Sequence, residues 1–230
     1  MPFYLGIDEY FLLLIIPAMV FSLAMQIMVK SAYKKQSRVR NARGITGAMA
    51  AQMVLESYGV QNVRIETARG RLSDHYDPRT NVIRLSEGVY SQASVAAVGI
   101  AAHEAGHAAQ HAQNYIPIKV RNAILPVCNI GSMLAVPLMI LGLWLDFFGL
   151  VTLGLALYAL IVVFQLATLP VEFNASRRAM GAIDRRDMLP GGERAGAKKV
   201  LNAAAMTYVA ALVVSLANLL RFMLRFSRRR

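Results

Sequence analysis

Four long apolar runs divide this chain, and its charge lies almost entirely outside them. The first run, from Tyr10 to Val29, matches the roughly 20 residues a helix needs to cross a bilayer core. The second, from Ala123 to Leu145, is interrupted by Pro126 and Pro137, which membrane helices tolerate where neighbours satisfy the freed backbone groups. Asp146 and Gly149 mark a short turn before the third run, Leu150 to Leu169. The fourth, Leu201 to Leu220, is rich in alanine and carries Thr207, Ser215 and Asn218, a pattern suited to helix–helix packing.

Between the first two runs the pattern changes. Met49, Met53, Val54 and Leu55 recur at helical spacing over 46–58, with Gly59 at the expected helix end. Val63 to Thr67 alternates like a strand, and so does Asn81 to Ser86. Asp74-His75-Tyr76-Asp77-Pro78 has turn chemistry. From Ser94, the expected N-cap, an alanine-rich helix extends through Gln113. The predicted order is helix, two or three short strands, then helix.

Composition agrees with a membrane protein: 56% of the 230 residues are hydrophobic and 17% charged. The net charge of +12 would suggest nucleic acid in a soluble protein, but here the basic residues flank apolar runs. They set topology and meet anionic lipid headgroups instead, so a lipid bilayer and no nucleic acid is expected as partner. Asp8 and Glu9 stand where a signal peptide has its positive region, so the first run reads as a retained anchor. The single cysteine, Cys128, allows no internal disulfide and no cysteine zinc cluster. Lys30, Lys34, Lys35, Arg38, Arg40 and Arg43 follow the first run without an intervening acid, which predicts a cytoplasmic 30–122 segment. The tail disagrees with that rule. Arg221, Arg225, Arg228, Arg229 and Arg230 would be exported by a fourth crossing, unless the last apolar stretch is re-entrant or interfacial.

The chemistry sits on the second soluble helix. His103-Glu104-Ala105-Gly106-His107 is an H-E-x-x-H motif, whose two histidines share one helix face and can grip one cation. Zinc fits the imidazole ligands, and Glu104 is placed to act as general base toward a water on the metal. A third ligand is then needed from downstream, acidic and near the membrane boundary. Glu172 fits best, two residues after Pro170, which is expected to open a new helix. The alternatives Asp184, Asp187 and Glu193 lie among arginines and Pro/Gly, and a Glu172 merely paired with Arg177 or Arg178 is the competing reading. His111 shares the face of His107 but lies about 12 Å along the axis from His103, too far for one metal, so it is expected beside the ligands or at the interface. His75 is a candidate oxyanion partner on its turn, or simply exposed. The strand Asn81, Val82, Ile83, Arg84, Leu85 is expected at a sheet edge, where it could pair with an extended substrate or serve only as a sheet strand.

His103-Glu104-Ala105-Gly106-His107-Ala108-Ala109-Gln110-His111, Asp74-His75-Tyr76-Asp77-Pro78 and Glu172-Phe173-Asn174-Ala175-Ser176 together resemble the YugP-like membrane zinc metallopeptidases, over nearly the whole chain. A more distant likeness is to the HtpX-like membrane gluzincins. The resemblance implies an α+β minimal gluzincin (zincin-like) domain with about four transmembrane helices. It also implies one Zn2+ per chain on His103, His107 and Glu172, and hydrolysis of unfolded or membrane protein segments. Ser176 stands where those distant relatives carry an aspartate that orients a ligating histidine, and Tyr76, His75 and Arg177 are candidates for stabilising the transition state. The expected organisation is an anchor over 1–29, a cytoplasmic zincin-like domain over 30–122, and a transmembrane hairpin over 123–169. A cytoplasmic segment with the third ligand follows over 170–200, then an apolar helix and basic tail over 201–230. The expected location is the plasma membrane, multi-pass, with no oligomeric state specified. A non-catalytic zinc-binding scaffold is the alternative from another class, against which the presence of Glu104 counts. A small transporter would need ionisable residues within the spans, and these are nearly absent.

Overall fold

A computed structural model describes residues 8–70 and 73–227, so Arg228, Arg229 and Arg230 of the basic tail lie outside the described residues. A π-helical turn, Phe11–Ile15, leads into α1 (Ile16–Gln36). There follow α2 (Gly47–Ser57), β1 (Arg64–Ala68), β2 (His75–Asp77), β3 (Val82–Ser86), α3 (Glu87–Tyr90) and α4 (Val95–Ala112). Three long helices complete the chain: α5 (Ile116–Trp144), α6 (Phe148–Arg185) and α7 (Gly192–Ser227). The protein is mostly helical with one small mixed sheet. It forms two compact units, one gathering the chain up to Gln26, Val120–Leu169 and the chain from Thr207, the other Ile27–Lys119 and Pro170–Met206.

The first unit is built from apolar helix. Four helical stretches, Phe11–Gln36, Ile116–Trp144, Phe148–Arg185 and Gly192–Phe226, are long and apolar enough to cross a membrane. Their large side chains face outward rather than into a core: Met133 is 72% and Trp144 81% exposed. Water would penalise so much bare apolar surface, whereas lipid accepts it. Pro126 and Pro137 do not interrupt the second span; both lie inside one continuous helix. At one end of this unit Asp8 accepts a hydrogen bond from the Phe11 N–H at 2.6 Å and pairs with both Arg221 and Arg225 near the end of α7. The Arg221 guanidinium also lies 5.1 Å from the Phe11 ring centroid.

The second unit packs α2, the sheet and α4 around Val54, Leu55, Ile83, Leu85, Val95 and Val98. Polar caps set the helix starts. Thr46 Oγ1 accepts from the Met49 N–H at 3.2 Å and Ser94 Oγ from the Ala97 N–H at 3.1 Å, each satisfying a donor the first turn leaves open. Gly59 follows α2 at φ +65°, a left-handed conformation that glycine adopts without steric cost. α4 is buried along most of its length through alanines at 97, 101, 102, 105, 108 and 109, small enough for neighbouring backbones to come close.

Three expectations need correction. The segment from Asp74 to Pro78 is more than a turn, because His75–Asp77 forms β2, antiparallel to β3 with Tyr76 opposite Ile83. The turn follows it: Asp77 accepts from the Arg79 N–H at 3.0 Å and the Thr80 hydroxyl at 2.7 Å, closing a hairpin that ends at Asn81 with φ +54°. The sheet order is β1-β3-β2, with β1 parallel to β3. The strand Asn81, Val82, Ile83, Arg84, Leu85 is therefore central, its backbone groups used by strands on both sides, and it has no edge to offer a substrate. Lastly, Pro170 does not open a helix but lies inside α6. A proline there removes one backbone donor, yet the next turn is held by contacts with α4, so the helix continues.

The capping of α4 sets a test of this unit. Ser94→Ala should destabilise it by about 1 kcal/mol, lowering the melting temperature in detergent by about 2–4 °C. Ser91→Ala, which removes only an exposed bond to the Glu87 carbonyl, should leave it unchanged.

Candidate metal centre

α4 carries His103 and His107 one turn apart, and their rings meet edge to face at 4.7 Å between centroids. Glu172 reaches them from the part of α6 that belongs to the same unit. Its Oε2 lies 3.4 Å from His103 Nε2 and 3.7 Å from His107 Nε2. Among the described residues these three form the group of potential ligands, with donor atoms all within 4.8 Å of one another. Atoms bound to a tetrahedral zinc at about 2.0–2.1 Å stand roughly 3.3–3.4 Å apart, so small side-chain adjustments would accommodate the ion. Two imidazoles and one carboxylate are also the donor types zinc takes at sites that keep a position open. Glu172 is 4% exposed and the histidine side chains 16% and 13%, so the site is nearly closed to bulk water.

The close approach of the two helices depends on Gly106. A Cβ at that position would lie 2.7 Å from the Ala175 carbonyl oxygen, well inside contact distance. On α6 the residues facing this contact recur at helical spacing: Glu172, Ala175, Ser176, Ala179 and Ile183. Ser176 Oγ stands 3.1 Å from His103 Nδ1. Glu104, between the two histidines in sequence, is held by its Oε2 accepting the Tyr76 N–H of β2 at 3.0 Å.

The electrostatics favour a cation between these groups. Burial, the largest influence on His107, disfavours a charged ring. The Glu172 carboxylate beside the ring, the charge of Glu104 and the hydrogen bond to Gln110 outweigh it, so the proton affinity of His107 is raised. A metal ion at Nε2 would draw on the same negative field.

The remaining candidates lie around this centre. Tyr76 is half-buried, donates from its hydroxyl to Asn81 Oδ1 at 2.8 Å, and has its ring edge-on to His111 at 6.2 Å. Its phenol is pushed above the usual value, first by burial and then by Asp77, and stays protonated at neutral pH. His111 itself is exposed and outside the ligand group. His75 is exposed on β2 with its Nδ1 2.7 Å from the Ser73 carbonyl, and Arg177 is exposed on α6. The alternative acids are engaged elsewhere: Asp184 with Arg194, Asp187 with Arg43, and Glu193 with the Ala42 N–H. Arg178 bonds Asn174 and Gln113 rather than pairing with Glu172.

One residue was missed by sequence reasoning. Gln110 is fully buried, with its Oε1 3.0 Å from His107 Nδ1 and its Nε2 donating to the Val171 carbonyl at 2.8 Å and to Asn174 Oδ1 at 3.0 Å. The usable signal was a glutamine three residues after the second histidine of the motif, on the same helix face.

Comparison with known proteins is consistent with a metal here. Residues 11–227 match the family described as "Putative neutral zinc metallopeptidase". Over 216 residues the chain is 45% identical to the "Putative membrane protease YugP" of Bacillus subtilis (strain 168), covering 94% of this chain and 96% of that protein. No solved structure matches it.

Gly106→Ala provides the direct test of the geometry. Overpacking against Ala175 should cost about 1–3 kcal/mol and weaken zinc uptake about tenfold or more as Glu172 is pushed back. Gly131→Ala, whose added Cβ would meet nothing closer than 3.6 Å, should change neither thermal stability nor metal titration.

Proposed function

The chain belongs to the neutral zinc metallopeptidase family, and on that premise we propose that it hydrolyses peptide bonds at a zinc held by His103, His107 and Glu172, with Glu104 as general base. The observation that carries the reading is the convergence of those three donors beside Glu104, a glutamate that metal holding alone does not require. Zinc would supply Lewis acidity, polarising the scissile carbonyl and lowering the pKa of water to about 7.

The protein's own groups perform the rest. Glu104 takes the proton of the attacking water and returns it to the leaving amine. The Tyr76 N–H fixes which way its carboxylate faces. The Tyr76 phenol, kept protonated and released from Asn81, would be one donor for charge developing on the substrate carbonyl, with His75 and Arg177 as exposed alternatives. β2 is the sheet edge beside Glu104, so an extended substrate would lie along it rather than along β3. Substrates are then unfolded or membrane protein segments, since recognition through a backbone edge makes few demands on sequence.

Four helices long and apolar enough to cross a bilayer mark a membrane protein. The run of basic residues after the first of them supports a multi-pass plasma-membrane topology with the metal centre facing the cytoplasm.

Catalysis is tested on detergent-purified wild type and Glu104→Gln. Both should hold about one zinc per chain, with casein cleavage in the wild type only, abolished by chelation and restored by zinc. Zinc in both with cleavage in neither would favour the scaffold instead. Topology is tested in intact cells with Cys128→Ser as background. A membrane-impermeant thiol reagent should label Asp146→Cys and spare Ser91→Cys, and the reverse pattern would invert the assigned orientation.

A further inference from the structure

The geometry assigns Gln110 as the residue that positions His107, an inference that rests on the metal site proposed above. Every polar atom of its side chain is used, and the two ends of the chain of bonds leave no choice of direction. The Val171 carbonyl can only accept, so the atom facing it at 2.8 Å must be the Gln110 amide nitrogen. Arg178 can only donate, so the atom of Asn174 facing Arg178 Nε at 2.7 Å must be its carbonyl oxygen. That same oxygen receives the second proton of the Gln110 amide at 3.0 Å. Amide orientation is ordinarily an assignment from surroundings, and these surroundings admit one answer.

With its nitrogen committed to α6, Gln110 turns its carbonyl oxygen to His107 Nδ1 at 3.0 Å. An oxygen there can only accept. The proton of a neutral His107 ring is therefore held on Nδ1, and Nε2, the atom that faces Glu172, keeps its lone pair for a metal. His103 has no comparable lock. Its Nδ1 neighbour is the Ser176 hydroxyl at 3.1 Å, which can donate or accept.

The lock also spans two elements. His107 stands on α4, while the Val171 carbonyl and Asn174 flank Glu172 on α6, so one buried amide fixes a histidine ligand relative to the carboxylate ligand. The far end of the network is itself clamped. The Arg178 guanidinium lies over the rings of Tyr58 at 5.5 Å and Tyr115 at 5.8 Å, and donates to Gln113 at the end of α4. A neutral amide rather than a carboxylate behind His107 leaves the ring less electron-rich, so His107 would be the weaker donor to a metal held there.

Gln110→Met keeps the volume and removes both the acceptor and the donors. Zinc affinity of the full-length protein in detergent would be measured by competition with a fluorescent chelator, alongside the melting temperature of the metal-free form. Affinity should fall about 10–100-fold, with Gln52→Met, the same change at an exposed position of α2, leaving it at the wild-type value. Unchanged affinity in folded Gln110→Met overturns the assignment while leaving the metal site intact. Failure of the wild type to take up zinc overturns the site and the assignment together. Because a buried substitution can prevent folding, the wild type is also measured directly, by nitrogen-15 NMR of histidine-labelled, zinc-loaded protein. His75→Gln and His111→Gln leave only the two motif histidines in the spectrum. A protonated, hydrogen-bonded Nδ1 and metal-bound Nε2 on His107 support the lock, and a metal-bound Nδ1 refutes it.

Discussion

The contact between Gly106 on α4 and the Ala175 carbonyl on α6 is the constraint on which the rest of the centre depends. Where a Cβ would stand 2.7 Å from that oxygen, only glycine lets the helices meet. Everything that makes the group of donors a possible metal site lies within one turn of this contact. His103 and His107 flank Gly106 on one helix, and Glu172 and Ser176 flank Ala175 on the other. Separating the axes by the width of a methyl group would move the carboxylate off both imidazoles at once, because one Glu172 oxygen faces both rings at 3.4 and 3.7 Å. Close packing of small residues here is what brings the three donors together.

The same economy of side-chain volume runs along α4. Its alanines bury little apolar area each, so the helix is fixed less by burial per residue than by what surrounds it: the N-cap at Ser94, the α2 face carrying Val54 and Leu55, and polar contacts near its end. Between the cap and Gly106, Gly99 accepts the approach of Ala197 on α7, whose Cβ would sit 3.4 Å from an added one. α4 is thus closely packed on two sides, and the histidines it carries have little freedom to move with solvent or substrate.

Much of this was legible in the residues. The H-E-x-x-H spacing, the Ser94 cap and the alternation over Val63 to Thr67 and Asn81 to Ser86 are local signals, and the structure forms α4, β1 and β3 where they occur. What escaped reading depends on residues far apart in the chain. β2 has only three residues, rich in turn formers, and becomes a strand because β3 pairs with it and Glu104 takes the Tyr76 N–H. Pro170 looks like a helix start, yet the turn after it is braced by Gln110, 61 residues earlier, on the Val171 carbonyl. Gln110 in turn reads as an unremarkable polar residue among alanines until its partners are known, and one of them is a backbone oxygen that no side-chain pattern reports. β3 was expected at an edge because an alternating strand looks the same at the edge or the centre; only its neighbours decide.

The arginine-rich end of the chain shows how a rule about sequence can be satisfied by structure. Counting Lys and Arg alone, Arg221 and Arg225 argue against a last helix that carries them away from the cytoplasm. Asp8 changes that balance, since one carboxylate at the start of the first helix accepts both guanidinium groups while also capping the Phe11 N–H. Arg221 is 6% exposed and stacked over Phe11, so its charge is met inside the protein rather than presented to lipid headgroups or water. A cation paired in this way costs less to hold at a helix end than a bare one, and it contributes correspondingly less to orientation. The acid responsible lies more than 200 positions away in sequence, which is why a count of charges beside the last span cannot register it.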